Sequence, residues 1–578
     1  MTQAGNKQVV FTLTAQCRDC YRCLRVCPVK AIRMRAGQAY VDPERCIACG
    51  TCIRECPQKA KTFRSDIDEA KKILECGGKI AVSIAPSYVT VYNEWQLKRL
   101  PSALRKLGFS YIGHTSVGAY HLACSSVSFI KDKGTDEIYI STACPAVVNY
   151  VERYAPDMVK KLIPLVSPMV AHGRILKEKL GVDTKVIFVG PCVAKKTELE
   201  TAKNAEAVDL VLTFKELNEM FRMYGVDLAR CEESDFDESP AGVAQLYPLS
   251  GGMLKTAGFD TDFLNLNVLA VTGFDNLKQA LGVHVPKGKN GCFVEPLFCP
   301  EGCINGPGID NDKNVFERKR DIVEFAREHK SSIPSEHYAD NLRYAGYNDK
   351  SGFDKEIIPE EEIIKVLERT GKADPKQQLN CGACGYSTCR EKAIAVIRGM
   401  ADPEICIPYM RRLAELRGDR ILQQSPNGIV ILDSNLNIIG MNPAFMKFFV
   451  CSNSILGRNI SYLMDPSAFE KLAEGTVDNL DMALTFPTYS LVCHTLFYAL
   501  REEKQFVGIF VDITNLRSSE EKLEQIKLQT IMQAKELLEH QMKTAQGIAK
   551  FLGETTARGE ELIEKLMSLD DHDETKKK

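Results

Sequence analysis

The chain has 578 residues, a net charge of −2 and 22 cysteines. The near-neutral balance excludes the basic footprint of a nucleic-acid binder and the basic face of a membrane-surface protein, and no apolar run reaches the roughly 18 residues of a membrane helix. The first residues, MTQAGNKQVVFTLTAQC, hold no apolar core of signal-peptide length, so a cytoplasmic location is expected, where clustered cysteines point to metal rather than disulfides.

Such a length implies several domains, and the first is read over residues 1–70. Cys17, Cys20, Cys23 and Cys27-Pro28 repeat as Cys46, Cys49, Cys52 and Cys56-Pro57. This doubled C-x2-C-x2-C-x3-C-P run resembles that of two-cluster ferredoxins, in which the fourth cysteine of each run serves the other cluster. The resemblance assigns Cys17, Cys20, Cys23 and Cys56 to one 4Fe-4S cluster, and Cys46, Cys49, Cys52 and Cys27 to a second.

Residues 66–76 read as a linking helix ending near Gly77-Gly78, and a second domain is read over 71–350. KIAVSIAPS (79–87), DEIYISTACP (136–145) and KVIFVGPC (185–192) are short β-branched runs that end in Pro or Pro-Cys. Between them, 157–180 reads as helical, with Val159, Leu162, Ile163 and Val166 at helical spacing. Strands alternating with helices predict a parallel α/β architecture, in which ligands sit beyond the carboxyl ends of the strands. A further apolar run, Phe293 to Phe298, reads as a buried strand. It leads into Cys299 and Cys303 in a Gly- and Pro-rich loop, where two soft thiolates suit iron. Cys144, Cys192, Cys299 and Cys303 are thus expected near one point.

The segments TACPAVVNYVERYAP, GPCVAKKTE and EPLFCPEGCINGPG resemble the three signature loops of FeFe-hydrogenases, in the family's order. VSPMVAHG (166–173) and LYPLSGGMLKTA (246–257) are also similar to family segments, and the likeness covers about residues 10–345. The resemblance implies an H-cluster, a 4Fe-4S cubane joined to a diiron centre carrying CO and cyanide. Cys144, Cys192 and Cys299 would hold the cubane, and Cys303 would bridge to the diiron unit. Lys195 would donate to a cyanide, while Pro86, Ser87, Pro168 and Tyr247 would line the diiron site.

The loop also departs from the family pattern. Active members carry Thr-Ser-Cys-Cys-Pro, whose first Cys moves protons; Ala143 takes that catalytic place here and has no exchangeable proton. The family's acidic relay is replaced by Cys124-Ser125-Ser126-Val127-Ser128-Phe129. Leu297 and Met169 stand where efficient members have Met and Gln. Positioned acid–base groups contribute about 10²–10⁴ in rate, so slow turnover is expected. Cys124, His121 or the serines offer an alternative proton path, and ordinary packing residues are the simpler reading. Cys76, Cys231 and Cys292 lack partners at ligand spacing and read as structural.

A third domain is read over 351–415. Its first part is a connector with a short amphipathic helix, begun by Pro359 and ended by Gly371, presenting Ile363, Ile364 and Leu367. Cys381, Cys384, Cys389 and Cys406 follow with C-x2-C-x4-C-x16-C spacing. They resemble a small four-cysteine iron–sulfur domain and make a third accessory 4Fe-4S site. Residues 416–515 lose the cysteine pairs. SPNGIVILDSNLNIIGMNPAFMKFF reads as helix end, strand, turn at Asp433-Ser434-Asn435, strand, and a helix begun at Asn442-Pro443. With the closing Asp512-Ile513-Thr514 this resembles a PAS domain. His494 reads as a packing residue rather than a haem ligand. Over 516–578 the heptads Leu516/Leu523 and Ile531/Leu538/Ala545/Leu552 predict a dimer helix, hence a homodimer, before a charged tail.

The expectation is a multi-domain α/β chain of the sensory, PAS-bearing FeFe-hydrogenase type found in anaerobes. It would meet H2 and protons, a ferredoxin-like or other redox partner, maturation proteins, and an output phosphatase or kinase. A slow metabolic or bifurcating hydrogenase and an iron–sulfur redox sensor lacking the diiron centre are the rivals. So is a relative of the eukaryotic cluster-assembly homologues.

Overall fold

A computed structural model describes residues 8–514, except 19, 36–37, 134–136, 201–203, 205, 260–266, 283–291, 311, 335–341, 345 and 353–357, together with 530, 532, 533 and 536. The heptads expected over 516–578 otherwise lie outside the described residues. No helix among the described residues is long and apolar enough to cross a membrane. The chain forms two compact units, residues 1–402 and 403–578.

The first unit opens with a cysteine-rich module built as two copies of one idea. A left-handed residue, Tyr21 (φ 58°) or Gly50 (φ 73°), precedes each short helix, Arg22–Val26 and Thr51–Arg54. After each Cys-Pro pair a left-handed lysine, Lys30 (φ 50°) or Lys59 (φ 51°), turns the chain. The next amide then donates to the cysteine sulfur, Ala31 to Cys27 at 3.3 Å and Ala60 to Cys56 at 3.2 Å. Strands β1 (Val10–Thr12) and β4 (Lys61–Phe63) pair antiparallel, and β2 (Ile32–Arg35) forms a hairpin with β3 (Gln38–Val41).

The helix Ile67–Glu75 ends before Gly77 and Gly78, both at positive φ, and leads into the α/β part. Four parallel strands run in the order β6 (Tyr111–His114), β5 (Ile80–Ile84), β8 (Lys185–Gly190), β9 (Leu210–Thr213). A separate parallel sheet has the order β10 (Val268–Thr272), β11 (Phe293–Leu297), β7 (Tyr139–Ile140). Strands β5 and β11 are buried along their whole length, which is why their sequences are mostly apolar rather than alternating, with Ser83 and Glu295 as the buried polar exceptions. The architecture expected from the alternating pattern is present, divided between two sheets.

The helix expected over 157–180 is partly wrong. A 3₁₀ turn spans Pro156–Lys161, and the regular helix is Pro168–Leu180. Between them the chain is extended: Leu162 bridges Ile140 in parallel, and the Ile163 amide donates to the Ile140 carbonyl at 3.0 Å. Pro164 and Pro168 account for this, since each disfavours helix in the residue before it and removes an amide. The apolar spacing at 159–166 reflects an edge beside β7, not a helix face.

A buried ion network ties the linker to the α/β part. Lys196 is fully buried, and its Nζ donates to Asp66 Oδ2 at 2.7 Å, Glu216 Oε1 at 2.9 Å and the Val211 carbonyl at 3.2 Å. Glu216 also accepts from the amides of Asp66 and Thr213, both at 2.8 Å.

Farther along the first unit, helices Glu360–Arg369 and Cys389–Ile397 share a small apolar core of Ile363, Leu367 and Ala393. The connector helix appears where Pro359 and Gly371 bracket it, although Ile364 is exposed.

The second unit begins with the helix Ile407–Gln424 and continues into a five-stranded antiparallel sheet. Its strands are β12 (Gly428–Leu432), β13 (Ile438–Met441), β14 (Asn479–Phe486), β15 (Leu491–Leu500) and β16 (Gln505–Asp512), in the order β13-β12-β16-β15-β14. Phe445, Phe449, Phe469, Phe497 and Phe510 fill its interior. Asn442 closes it polar-side. Its Oδ1 accepts from the amides of Ile429 (2.8 Å) and Phe445 (2.9 Å), and its Nδ2 donates to the carbonyls of Leu422 (3.0 Å) and Asn427 (2.8 Å). One buried amide thereby holds the last turn of the leading helix against the sheet. His494 is largely buried and meets Asp481 at 3.0 Å, which accounts for it as a paired strand residue.

Two stability outcomes follow from these networks. Lys196→Met leaves the buried Glu216 without its cation and Asp66 with Arg64 alone, and should cost about 3–5 kcal/mol in chemical denaturation. Asn442→Ala orphans the buried amides of Ile429 and Phe445 and frees the part-buried carbonyl of Leu422, and should destabilise the second unit by roughly 1–3 kcal/mol, read as a lower midpoint for its unfolding transition.

Candidate metal centre

The cysteines of the first module sort into crossed sets. The Cys23 thiol, pushed up to about 12 by burial, lies in electrostatic range of Cys20, Cys56 and Cys17, with Lys61 opposing the shift. Burial raises Cys52 well above the ordinary thiol value, and Cys49, Cys46 and Cys27 add to it. The fourth cysteine of each run thus stands with the first three of the other, which places Cys27 beside Cys46, Cys49 and Cys52.

Four more thiols meet in the α/β part. Cys144 follows β7 and precedes the helix Pro145–Tyr154; Cys192 follows β8 two residues before the helix Ala194–Leu199; Cys299 follows β11. Glu301 and Gly302, both at positive φ, bring Cys303 back against the Pro248 carbonyl, which accepts from its amide at 2.7 Å. Burial raises Cys303 well above its ordinary value, and Cys144, Cys299 and Cys192 reinforce the shift. Cys192 is pushed up to about 12 by burial, again with Cys144 and Cys299 as neighbours. Lys195 opposes the shift at Cys144, Cys192 and Cys303. Its ammonium is itself paired with Glu198 at 2.8 Å.

The expected lining residues surround this point unevenly. Pro86 and Ser87 open a buried 3₁₀ turn directly after β5, and that turn packs on the turn Cys303–Asn305. Ser87 Oγ, Ser167 Oγ and Tyr247 Oη are buried with no hydrogen-bond partner among the described residues. Unsatisfied buried polar atoms of this kind call for a group that completes them. Pro168 begins its helix, Met169 is wholly buried, and Leu297 ends β11. Ala143 packs with Tyr247 and Met253 in one apolar cluster. Glu295 is buried beside them, accepts from the amides of Met253 and Leu254 at 3.1 Å, and is raised to about 8 by burial. Of the alternative proton carriers, Cys124 is exposed, and Ser126 and Ser128 donate back to carbonyls of their own helix.

Cys381, Cys384 and Cys389 lie together in sequence at the foot of the helix Cys389–Ile397. Lys372 Nζ reaches Cys389 Sγ at 3.2 Å, with both side chains buried. Among the described residues no three of Cys, His, Asp and Glu are grouped so as to hold a single metal ion. Cys76 is exposed at a helix end, whereas Cys231 and Cys292 are buried.

Arg54 is a site residue that spacing alone does not reveal. Its guanidinium opposes the thiol shift at both Cys299 and Cys49, and its Nη1 donates to the Asn305 carbonyl at 3.0 Å. Next to it, Gly50 presses on Pro307 so closely that a Cβ would stand 2.4 Å from the ring. From the other side, Arg153 and Tyr154 of the helix after Cys144 donate to the carbonyls of Cys46 (2.7 Å) and Arg45 (2.6 Å). The ferredoxin-type module is therefore seated on the loops that carry Cys144, Cys299 and Cys303. Arg54 lies between Cys52 and Cys56, inside the cysteine run, which is the one sequence signal that could have marked it.

Comparison with known proteins gives four matches along the chain. The family model described as iron only hydrogenase large subunit, C-terminal domain, matches residues 78–307. A 4Fe-4S dicluster domain matches 10–68, an Fe-S cluster model matches 377–408 and a PAS domain matches 419–482. Iron hydrogenase 1 of Clostridium pasteurianum is 25% identical over 42% of this chain and 52% of its own length. The periplasmic [Fe] hydrogenase of Nitratidesulfovibrio vulgaris is, in its large subunit, 27% identical over 52% of this chain and 86% of its own. The cytosolic Fe-S cluster assembly factor NAR1 of Encephalitozoon cuniculi is 26% identical over 35% of this chain and 61% of its own. The chain thus spans about half the length of the Clostridium relative. It carries a 4Fe-4S ferredoxin domain, an FeFe-hydrogenase-like α/β domain, an Fe-S domain and a PAS domain in one mixed α/β architecture.

Proposed function

We propose that the chain is a slow FeFe-hydrogenase-type sensor that reports H2 or redox state to its PAS domain. The carrying observation is the meeting of Cys144, Cys192, Cys299 and Cys303 with Lys195 at one buried point, in a chain that continues into a PAS domain. The donor chemistry fits an H-cluster: four soft thiolates, an adjacent ammonium and three unpartnered polar atoms in a dry setting. Cys144, Cys192, Cys299 and Cys303 would hold its cubane, with Cys303 also holding the diiron unit. When bound, that group supplies an open metal position for H2.

The chain's own residues set the rate and the environment. Lys195 offers a charge-assisted donor to an anionic ligand, held in place by Glu198. Pro86, Pro168, Met169 and Leu297 keep water away, while Ser87 and Tyr247 offer hydroxyls. Ala143 supplies no proton where the active family members have a thiol, so proton movement limits turnover. Accessory clusters at Cys17/Cys20/Cys23/Cys56, Cys27/Cys46/Cys49/Cys52 and Cys381/Cys384/Cys389/Cys406 would carry electrons to or from a ferredoxin-like partner. An output phosphatase or kinase would read the PAS domain of a homodimer.

The second reading, an iron–sulfur redox sensor without the diiron unit, is favoured by the ion pair that already occupies Lys195 and by Ala143. Infrared spectra separate the two. Protein made anaerobically with hydrogenase maturation proteins should show CO and cyanide stretches that shift between argon and H2. Fully cluster-loaded protein without those bands would establish the second reading. Ala143→Cys should raise H2 turnover by about 10²-fold or more; an unchanged rate in diiron-loaded protein would place the limit elsewhere.

A further inference from the structure

A cleft of about 870 Å³ opens in the first unit where the ferredoxin-type module, the α/β part and the segment 386–400 meet. Among the described residues Cys27 is the only cysteine in its lining, so the cleft is not the room that any cysteine set encloses. Six cations line it. Arg25, Lys30, Arg45 and Arg54 come from the first module, Lys278 from the α/β part and Arg398 from the segment 386–400. Among the described residues only two carboxylates, those of Asp275 and Glu391, stand with them.

The α/β part supplies an aromatic wall. Tyr150 and Phe274 meet edge to face with ring centres 5.2 Å apart, Tyr154 stacks beside Tyr150 at 5.9 Å, and Phe298 stands 5.7 Å from Phe274. Tyr154 is fixed through its Oη, which donates to the Arg45 carbonyl at 2.6 Å. From the segment 386–400, buried Tyr386 places its ring centre 5.7 Å from Lys30 Nζ. Gly385 beside it, at φ 88°, lies so close to Arg25 that a Cβ would come within 2.8 Å of the Arg25 Cα, which keeps this seam tight. Phe274 and Tyr154 are only half-buried and Lys278 is exposed, so the cleft can be entered from solvent.

Like charges gathered around one concavity repel one another, and an anion that fills it relieves that repulsion. Guanidinium forks match phosphate oxygens, and ring faces accept a planar base. The volume lies within the range of small-molecule sites, about 300–1,000 Å³. Charge and rings come mainly from different walls, so the ligand they fit is charged at one end and aromatic at the other.

We propose that this cleft binds a nucleotide carrying two or more phosphates, its base against the wall of Tyr150, Tyr154 and Phe274 and its phosphates toward Arg25, Lys30 and Arg398. A ligand so placed touches all three parts and fastens the segment 386–400 to the ferredoxin-type module. The inference concerns binding alone, with no bond made or broken, and it stands apart from the diiron unit.

The test titrates the full-length, cluster-loaded chain anaerobically in a calorimeter with ATP, GTP, adenosine and tripolyphosphate. ATP or GTP should bind once per chain, roughly tenfold or more tighter than adenosine or tripolyphosphate, since each of those offers only one end of the ligand. Arg25→Gln and Arg398→Gln should each weaken the nucleotide about tenfold at unchanged iron content, and Lys319→Gln, an exposed lysine on the helix Val315–Glu328, should leave it unchanged. In the unaltered protein, bound nucleotide should slow tryptic cleavage after Arg398. Absence of binding by both nucleotides overturns the proposal. Tripolyphosphate that binds as tightly as ATP and GTP also overturns it, and makes the cleft a docking groove for an acidic protein segment. Unchanged affinity in both arginine variants, or unchanged cleavage at Arg398, places the nucleotide elsewhere and overturns it as well.

Discussion

Keeping thiolate sulfur in places that reject an uncompensated thiolate is the constraint on which the first unit depends. Burial, reinforced by neighbouring cysteines, pushes Cys23, Cys46 and Cys192 up to about 12 and raises Cys52 and Cys303 well above the ordinary thiol value. A thiol so raised stays neutral at physiological pH, and a ligand must be ionised to bind metal. Cationic iron reverses that balance, and the lysines and arginines along the sulfurs assist it. The same burial that makes these positions poor for free cysteine makes them strong for a bound cluster. It also removes water from the surroundings, so every remaining charge is felt over a longer range.

That constraint explains the way the modules touch. A cluster site near another must be close without exposing either to water, so the contacts are made by backbone and by small or planar groups. Gly50 against Pro307 and Gly385 against Arg25 are two such contacts, one on each side of the first module. Carbonyl groups beside the cysteines are taken up by Arg153, Tyr154 and Arg54, so these seams keep their polar backbone paired. The duplicated module thus presents its first repeat to one neighbour and its second repeat to the other.

Much of this was legible in the sequence because ligand cysteines come in short runs, and short-range spacing survives folding. The strand ends at Cys144, Cys192 and Cys299 were legible for a related reason: buried parallel strands are mostly apolar runs, and their ends are marked by Pro and Cys. The misreading at 159–166 came from apolar spacing that fits an edge segment as well as a helix, with Pro164 the decisive breaker. The division into two sheets was not legible, since β7 has only two residues and finds its partners more than a hundred positions away. The cations were missed for the same reason. Arg54 and Arg153 read as surface charge until the chain brings Cys299 and Cys46 to them. The single amide of Asn442 reads from sequence only as a helix start, whereas it also holds the end of the preceding helix.

The fully buried Lys196 has a consequence for how the protein is made. Its partners, Asp66 and Glu216, are separated by 130 and 20 positions from it and by 150 from each other. The seat for the linker therefore does not exist until the chain has been synthesised past residue 216. A ribosome-bound intermediate shorter than that has a finished ferredoxin-type module with nothing to rest on. Closing so long a loop is entropically costly before its contacts form, so the docking of the two parts is a late step in folding. The eight cysteines of that module all lie within the first 56 residues, so its ligand set is complete in the chain long before its seat is.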